Sequence, residues 1–345
     1  MKLNEKLILI GLLVFTTFTS SFAQKEGFFY ANQIKAGSSI FIMTNQQVIQ
    51  NDSATFSWGD IIEEKKPDLF KATFWEVDSI EYEKVDSLTF MQLMSEKPGN
   101  WLFFVHGAGK TFQRAAWRAF DIAHYHDMNV VAYSWPSANP RDLSFKGFKY
   151  QLMKYQQSLP HFRKSFEMIK SFKENCMEEG ESLNMLLHSM GNMLLEDLVN
   201  NKELDDMPKD LFDNVILNAA SVKEESHKAW IEQLDIQKRI YITMNRGDVN
   251  LKGVRAFLRQ GIQLGQKVKS TPADNAVYIN FTKAIGFKLP PGKSHTYFMA
   301  ETAEEHPEIT AFYQDILNGK ALDLTNKSRY KVRKDGVGYN FLLDK

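Results

Sequence analysis

The chain has 345 residues, 43% of them apolar and 24% charged, which sets it among folded globular proteins and apart from disordered and fibrous classes. Lysine plus arginine and aspartate plus glutamate number 42 each, so no overall field steers the molecule toward nucleic acid or an anionic membrane. A chain of this length buries roughly three quarters of its unfolded surface, so its 26 phenylalanines can hold a fold by packing without a disulfide or a metal.

Residues 1–23 read as a secretory leader. Lys2 and Lys6 flank a short charged start, Leu7 to Phe15 is apolar, and Ser21-Phe22-Ala23 puts small residues at both cleavage positions, which would leave Gln24 first. The alternative is a membrane anchor, but the apolar run turns polar at Thr16-Thr17, short of the roughly 20 residues a bilayer span requires. The expectation is export to the periplasm or beyond, with no integral span after cleavage. Cys176 is the only cysteine, so no intramolecular disulfide can form. It closes the helical run Phe172-Lys173-Glu174-Asn175 with no base nearby, the setting of a structural cysteine.

Beyond the leader, residues 24–320 read as one domain and 321–345 as a C-terminal tail. Within the N-terminal region, 24–95, the segments 38–48 and 73–80 alternate apolar and polar residues as half-buried strands do. From Trp101 the pattern changes to short apolar runs separated by helical stretches, as in parallel strands buried on both faces. Strands are predicted over 101–105, 130–134, 182–187, 214–217, 239–243 and 276–279, and helices over 112–126, 152–174, 192–200, 223–234, 254–264 and 307–317. The alternation predicts an α/β fold: a mostly parallel, doubly wound sheet with antiparallel N-terminal strands and its sites at the strands' carboxyl ends. The 137–182 stretch carries no informative motif and is a candidate cap region.

Ser189 stands between the predicted strand 182–187 and the helix that starts at Asn192, in Leu187-His188-Ser189-Met190-Gly191-Asn192. A serine in such a strand–turn–helix has its oxygen exposed by a strained backbone, and the small Gly191 lets the helix pack close. The usual pattern is Gly-x-Ser-x-Gly, and Leu187 departs from it. The other reading of Ser189 is a cap on the following helix.

His106-Gly107, then Ser134-Trp135-Pro136-Ser137, then His188-Ser189-Met190-Gly191-Asn192 resemble a bacterial family of α/β-hydrolases of unknown function, over roughly residues 38–300. The resemblance implies the α/β-hydrolase fold and a serine triad, and it names no substrate. In this fold the loop after strand 101–105 supplies an N–H to the oxyanion, so Ala108 and Met190 are the donor candidates, with Gly107 allowing close approach. The stretch Gly107-Ala108-Gly109-Lys110-Thr111 also ends like a phosphate-binding P-loop, but Phe104 stands where that pattern needs its first glycine.

A serine needs a neutral imidazole to take its proton, and in α/β-hydrolases the order is Ser, acid, His. Of the histidines after Ser189, His227 lies in a charged helical run and His306 precedes Pro307, and both read as solvated surface. His295 lies in a loop after the last apolar strand, and His295-Thr296-Tyr297 matches the family's histidine followed by an aromatic segment. Asp248 follows strand 239–243 in Asn245-Arg246-Gly247-Asp248, where the family carries its acid; Asp235 and Asp274 are the competitors. Ser134-Trp135-Pro136-Ser137 closes a strand near the same face. Its Ser134, Trp135 and Ser137, with His188, either line the acyl or leaving-group pocket or form a buried turn.

The reading is an exported serine hydrolase that cleaves an ester-like bond through an acyl-enzyme. Its substrate is a small-molecule or lipid ester, with no cofactor, no metal and no nucleic acid involved. The competing reading is a non-catalytic binding protein that keeps the fold.

Overall fold

The computed structural model describes residues 35–48, 56–76, 79–137, 145–258, 261–286, 291–299, 302 and 305–344. The predicted leader lies outside these residues. The strands are β1 (Ser38–Thr44), β2 (Gln46–Val48), β3 (Phe56–Ile61), β4 (Asp68–Glu76), β5 (Ser79–Val85), β6 (Trp101–Val105), β7 (Asn129–Ser134), β8 (Leu183–His188), β9 (Phe212–Asn218), β10 (Gln237–Met244), β11 (Ala276–Asn280), β12 (Tyr330–Val332) and β13 (Tyr339–Phe341). The helices are α1 (Ser87–Ser95), α2 (Phe112–His126), α3 (Phe145–Cys176), α4 (Gly191–Asn200), α5 (His227–Ile231), α6 (Val249–Leu258), α7 (Thr282–Ile285), α8 (Pro291–His295) and α9 (Pro307–Leu317).

Eleven of the described strands form one sheet in the order β12-β13-β11-β10-β9-β8-β6-β7-β1-β4-β5, and β2 pairs with β3 apart from it. Neighbours from β1 through β7, β6, β8, β9, β10, β11 to β13 are parallel; β4 runs antiparallel to β1 and β5, and β12 to β13.

β6 shows why the apolar runs read as they do. All five of its residues are buried, because successive side chains enter opposite cores. Trp101, Phe103 and Val105 pack with Phe162, Phe166 and Phe172 of α3 and with Leu194 and Leu198 of α4. Leu102 and Phe104 pack with Phe112 and Phe120 of α2 and with Ile309, Phe312 and Ile316 of α9.

Three expectations need correction. The 137–182 stretch holds no separate cap among its described residues: α3 is one 32-residue helix, and its Phe162, Phe166, Ile169 and Phe172 face the sheet as a layer of the fold. The tail at 321–345 contributes β12 and β13, which extend the sheet beyond β11, and Phe341 packs 4.7 Å from Phe281. Strands of three residues are too short to show a period. The helix predicted over 254–264 begins instead at Val249, because the Asp248 carboxylate caps it through Leu251 N–H at 3.0 Å, and Gly261 and the residues after it lie outside it.

Candidate active site

Strand order decides where a site can form. β6 lies between β7 and β8, so the chain leaves β6 toward one side of the sheet and later returns on the other. Val105 at the end of β6 is opposite Leu187 of β8, at the point where the strand order reverses, which is where sheets of this kind carry their sites. The loops 106–110 and 188–191 therefore lie side by side.

Ser189 has φ +53°. A non-glycine residue in this left-handed region costs of order 1–3 kcal/mol and persists only when its surroundings hold it. Here its N–H donates to Asn218 O at 3.1 Å, and its carbonyl accepts from Ser221 N at 3.1 Å and Asn192 N at 3.2 Å. The Asn192 side chain adds a third donor to that carbonyl at 2.9 Å and a bond to Leu187 O at 3.1 Å. A Cβ on Gly191 would stand 2.8 Å from His106 O, and one on Gly107 would stand 2.7 Å from Ser189 Cβ. Both glycines are thus required by the near contact of the two loops. Leu187, at the position where the usual pattern has glycine, is fully buried with its side chain in the core of the sheet, which absorbs the departure.

The 106–110 loop is held from below by the Ser-Trp-Pro-Ser segment. The His106 ring stacks on Trp135 with centroids 5.7 Å apart. Its Nε2 accepts from Trp135 N–H at 3.1 Å, its Nδ1–H donates to Gly107 O at 2.8 Å, and Trp135 Nε1–H donates to His106 O at 2.9 Å. Burial pushes the His106 imidazole down to about 3, so it stays neutral and keeps this pattern. Ser137 Oγ accepts from Lys110 N–H at 3.1 Å, and Ser137 O accepts from Gly109 N–H at 2.9 Å. Ser134, Trp135 and Ser137 are each 0% exposed. The segment is a buried turn packed under the 106–110 loop. The P-loop resemblance ends in a helix cap, with Thr111 Oγ1 accepting from Arg114 N–H at 3.2 Å. Neither Ala108 N–H nor Met190 N–H donates to another of the described residues.

His295 closes α8, and its Nδ1 lies 2.7 Å from Asp248 Oδ2. The Asp248 side chain is fully buried and its other oxygen is the cap of α6, so the carboxylate is fixed at both ends. The His295 ring stands 4.5 Å from the ring of His188, the residue next to Ser189. Among the described residues, neither Ser189 Oγ nor His295 Nε2 has a hydrogen-bond partner, each other included. Such contacts often tighten only when substrate is bound. His188 is 4% exposed, and its ring lies against those of His295 and Phe298. Its imidazole is held well below the ordinary range, first by burial and then by the positive charge His295 can carry.

The competitors fall elsewhere: Asp235 pairs with Lys209 at 2.6 Å, and Asp274 with Lys228 at 3.2 Å. His227 is fully buried and bonded to Tyr278, which corrects its reading as solvated surface. Sequence reasoning passed over the buried asparagines. Asn192 braces the elbow, and Asn245 Nδ2 donates to Ser294 O at 2.9 Å, tying the acid's loop to the histidine's. An asparagine directly after an apolar strand or turn was the available signal. Among the described residues, no group of three or more His, Cys, Asp or Glu is placed to hold a metal ion. No described helix is long and apolar enough to cross a membrane.

A mostly parallel sheet wound in both directions, with a strained serine after one strand and a His–Asp pair at the ends of others, defines an α/β-hydrolase fold. The chain belongs to the family described as "Alpha/beta hydrolase of unknown function (DUF900)", whose profile matches residues 84–311. A search of the curated proteins gives no match. Among solved structures, an esterase of Pyrobaculum calidifontis is similar at 9% identity and a TM-score of 0.43, covering 89% of this chain and 94% of its own. Esterase B of Lactobacillus rhamnosis is similar at 10% identity and a TM-score of 0.39, covering 89% of this chain and 96% of its own.

Proposed function

We propose that the protein is an exported serine hydrolase that cleaves a small-molecule or lipid ester through an acyl-enzyme. The observation that carries this reading is the buried 2.7 Å contact of His295 Nδ1 with Asp248 beside a serine held at φ +53°. Ser189 Oγ attacks the carbonyl carbon while its proton passes to His295 Nε2. Asp248 keeps the Nδ1–H directed at itself, so Nε2 is the free base, and it stabilises the imidazolium that forms. The carbonyl oxygen becomes an oxyanion facing the Ala108 and Met190 N–H groups, each supplying about 3 kcal/mol of transition-state stabilisation. The tetrahedral species collapses as the bond to the leaving alkoxide breaks and His295 returns the proton to it. Water, deprotonated by His295, then attacks the acyl carbon; the bond to Ser189 Oγ breaks, His295 returns the proton to that oxygen, and the carboxylic acid leaves.

Rapid mixing with p-nitrophenyl esters from acetate to laurate tests this. A burst of p-nitrophenol close to one equivalent per chain, lost in Ser189→Ala, is expected. Folded protein without burst or turnover across the whole series would overturn the reading and favour a binding protein. Export rests on the leader pattern at residues 1–23. It is checked by the N-terminus of the exported fraction, expected at Gln24, against an intact chain kept in the cytoplasm.

A further inference from the structure

α8 has only five residues, and a helix that short is not stable alone. The position of His295 at its end must come from what holds the backbone around it. Three carbonyls in that stretch are taken by side chains from three separate elements. Asn245, after β10, donates its Nδ2–H to Ser294 O at 2.9 Å. His188, at the end of β8, donates its Nε2–H to His295 O at 3.3 Å. His126, the last residue of α2, donates its Nε2–H to Phe298 O at 3.3 Å. All three donors are buried, at 0%, 4% and 2% exposure. None of them is the nucleophile, base or acid.

We infer that Asn245, His188 and His126 are positioning residues that clamp the Ser294–Phe298 backbone onto the ends of β10, β8 and α2, and so hold His295 in place over the Ser189 turn. This rests on the reading of His295 as the base. The three anchors come from different directions: Asn245 sits in the acid's loop, His188 abuts the nucleophile, and His126 reaches in from the helix layer. Asn245 Oδ1 also accepts from Gly247 N–H at 2.8 Å, so one amide fixes the loop of the acid and the loop of the base together. A backbone carbonyl can only accept, so each imidazole must carry its proton on Nε2. His126 Nδ1 has no partner, as suits the bare nitrogen of a neutral ring. Burial holds His126 down at about 4 and His188 well below its ordinary value, which keeps both rings neutral where a hydrolase works.

A displacement of about 1 Å in a reacting group can cost roughly 100-fold in rate. The test uses Asn245→Leu, His188→Phe and His126→Phe, which keep bulk and remove the donor, with His188→Gln and His126→Gln restoring an N–H at similar reach. For a p-nitrophenyl ester, kcat is expected to fall roughly 10- to 100-fold in each donorless variant, with KM changed by less than about threefold. The glutamine variants are expected to recover most of the loss. Amide hydrogen exchange, read by mass spectrometry, should speed up over residues 291–299 in the donorless variants. Unchanged exchange there, or unchanged kcat with only a lower melting temperature, overturns the clamp. If folded wild-type protein hydrolyses no ester, the assignment of His295 as base fails, and the exchange data still decide whether the clamp exists.

Discussion

Two of the described clusters draw on a serine, a histidine and a carboxylate, and they differ in what they leave unengaged. In the first, Glu224 Oε1 accepts from Lys269 N at 2.6 Å, Ser270 N at 2.6 Å and Ser270 Oγ at 2.7 Å. His227 Nδ1 bonds the Glu224 carbonyl, and its Nε2 lies 2.8 Å from the Tyr278 hydroxyl, which accepts from Ala273 N–H at 2.8 Å. The serine points at the acid, both imidazole nitrogens are engaged, and the network stitches the segment around α5 to the strand β11. In the second cluster the acid binds the histidine, and one imidazole nitrogen and the serine hydroxyl have no partner among the described residues. The same residue types therefore make a structural knot where every polar atom is satisfied within the fold, and under the proposed function a reactive site where the serine backbone is strained and its hydroxyl is left unengaged.

Exchanging the serines breaks the comparison most sharply. Ser189→Ala is expected to lower kcat at least roughly 10⁴-fold, whereas Ser270→Ala should leave ester turnover within about threefold; equal losses would erase the distinction. The acids come next. Asp248→Asn should cost roughly 10³- to 10⁴-fold in kcat with the fold kept, because the amide favours the wrong imidazole tautomer. Glu224→Ala strands three donors inside the protein and should lower unfolding free energy by about 2–4 kcal/mol in urea titrations while sparing kcat. A Glu224→Ala protein that is stable but inactive would place the chemistry in the wrong cluster.

Acid acts on stability and leaves the two clusters' chemistry aside. Burial holds the His106 imidazole down to about 3, that of His126 to about 4 and that of His188 well below its ordinary value. Once unfolded, each takes up a proton below about pH 6.5, and the folded protein does not, so their contribution is complete above that pH and declines on acidification. The decline is at most roughly 1.4 kcal/mol per pH unit for each histidine. Glu196 opposes it: burial, and then the charge of Asp197, raises its carboxyl to about 7, so its folded form gains relative stability as the pH falls from there. Burial lowers His161 and His227 in the same way and raises Asp197 as it does Glu196, so five histidines against two carboxyls predict a lower urea midpoint at pH 5 than at pH 7, and an equal or higher midpoint would contradict these assignments.

Much of this was legible in the sequence, for identifiable reasons. The strands from β6 to β11 are apolar on both faces, so their runs stand out, and Ser189, Asp248 and His295 each follow such a run in the chain order that the fold requires. The edges were not legible: β12 and β13 are too short for any period, and the strand predicted over 73–80 straddles the end of β4 and the start of β5. His227 was misread because its helical run is charged, while its own side chain turns inward to Tyr278. Asn192, Asn245 and His126 act through backbone carbonyls distant in sequence or around a tight turn, and spacing along the chain carries no trace of such contacts. The Ser-Trp-Pro-Ser segment was visible as a motif, but only its burial against the 106–110 loop shows that it supports that loop.

The most direct measurement is labelling of intact, folded protein with a fluorophosphonate, followed by peptide mapping. A single adduct on Ser189 is expected, absent from Ser189→Ala and slowed in Asp248→Asn. No adduct, or an adduct carried by Ser270, would contradict Ser189 as the nucleophile.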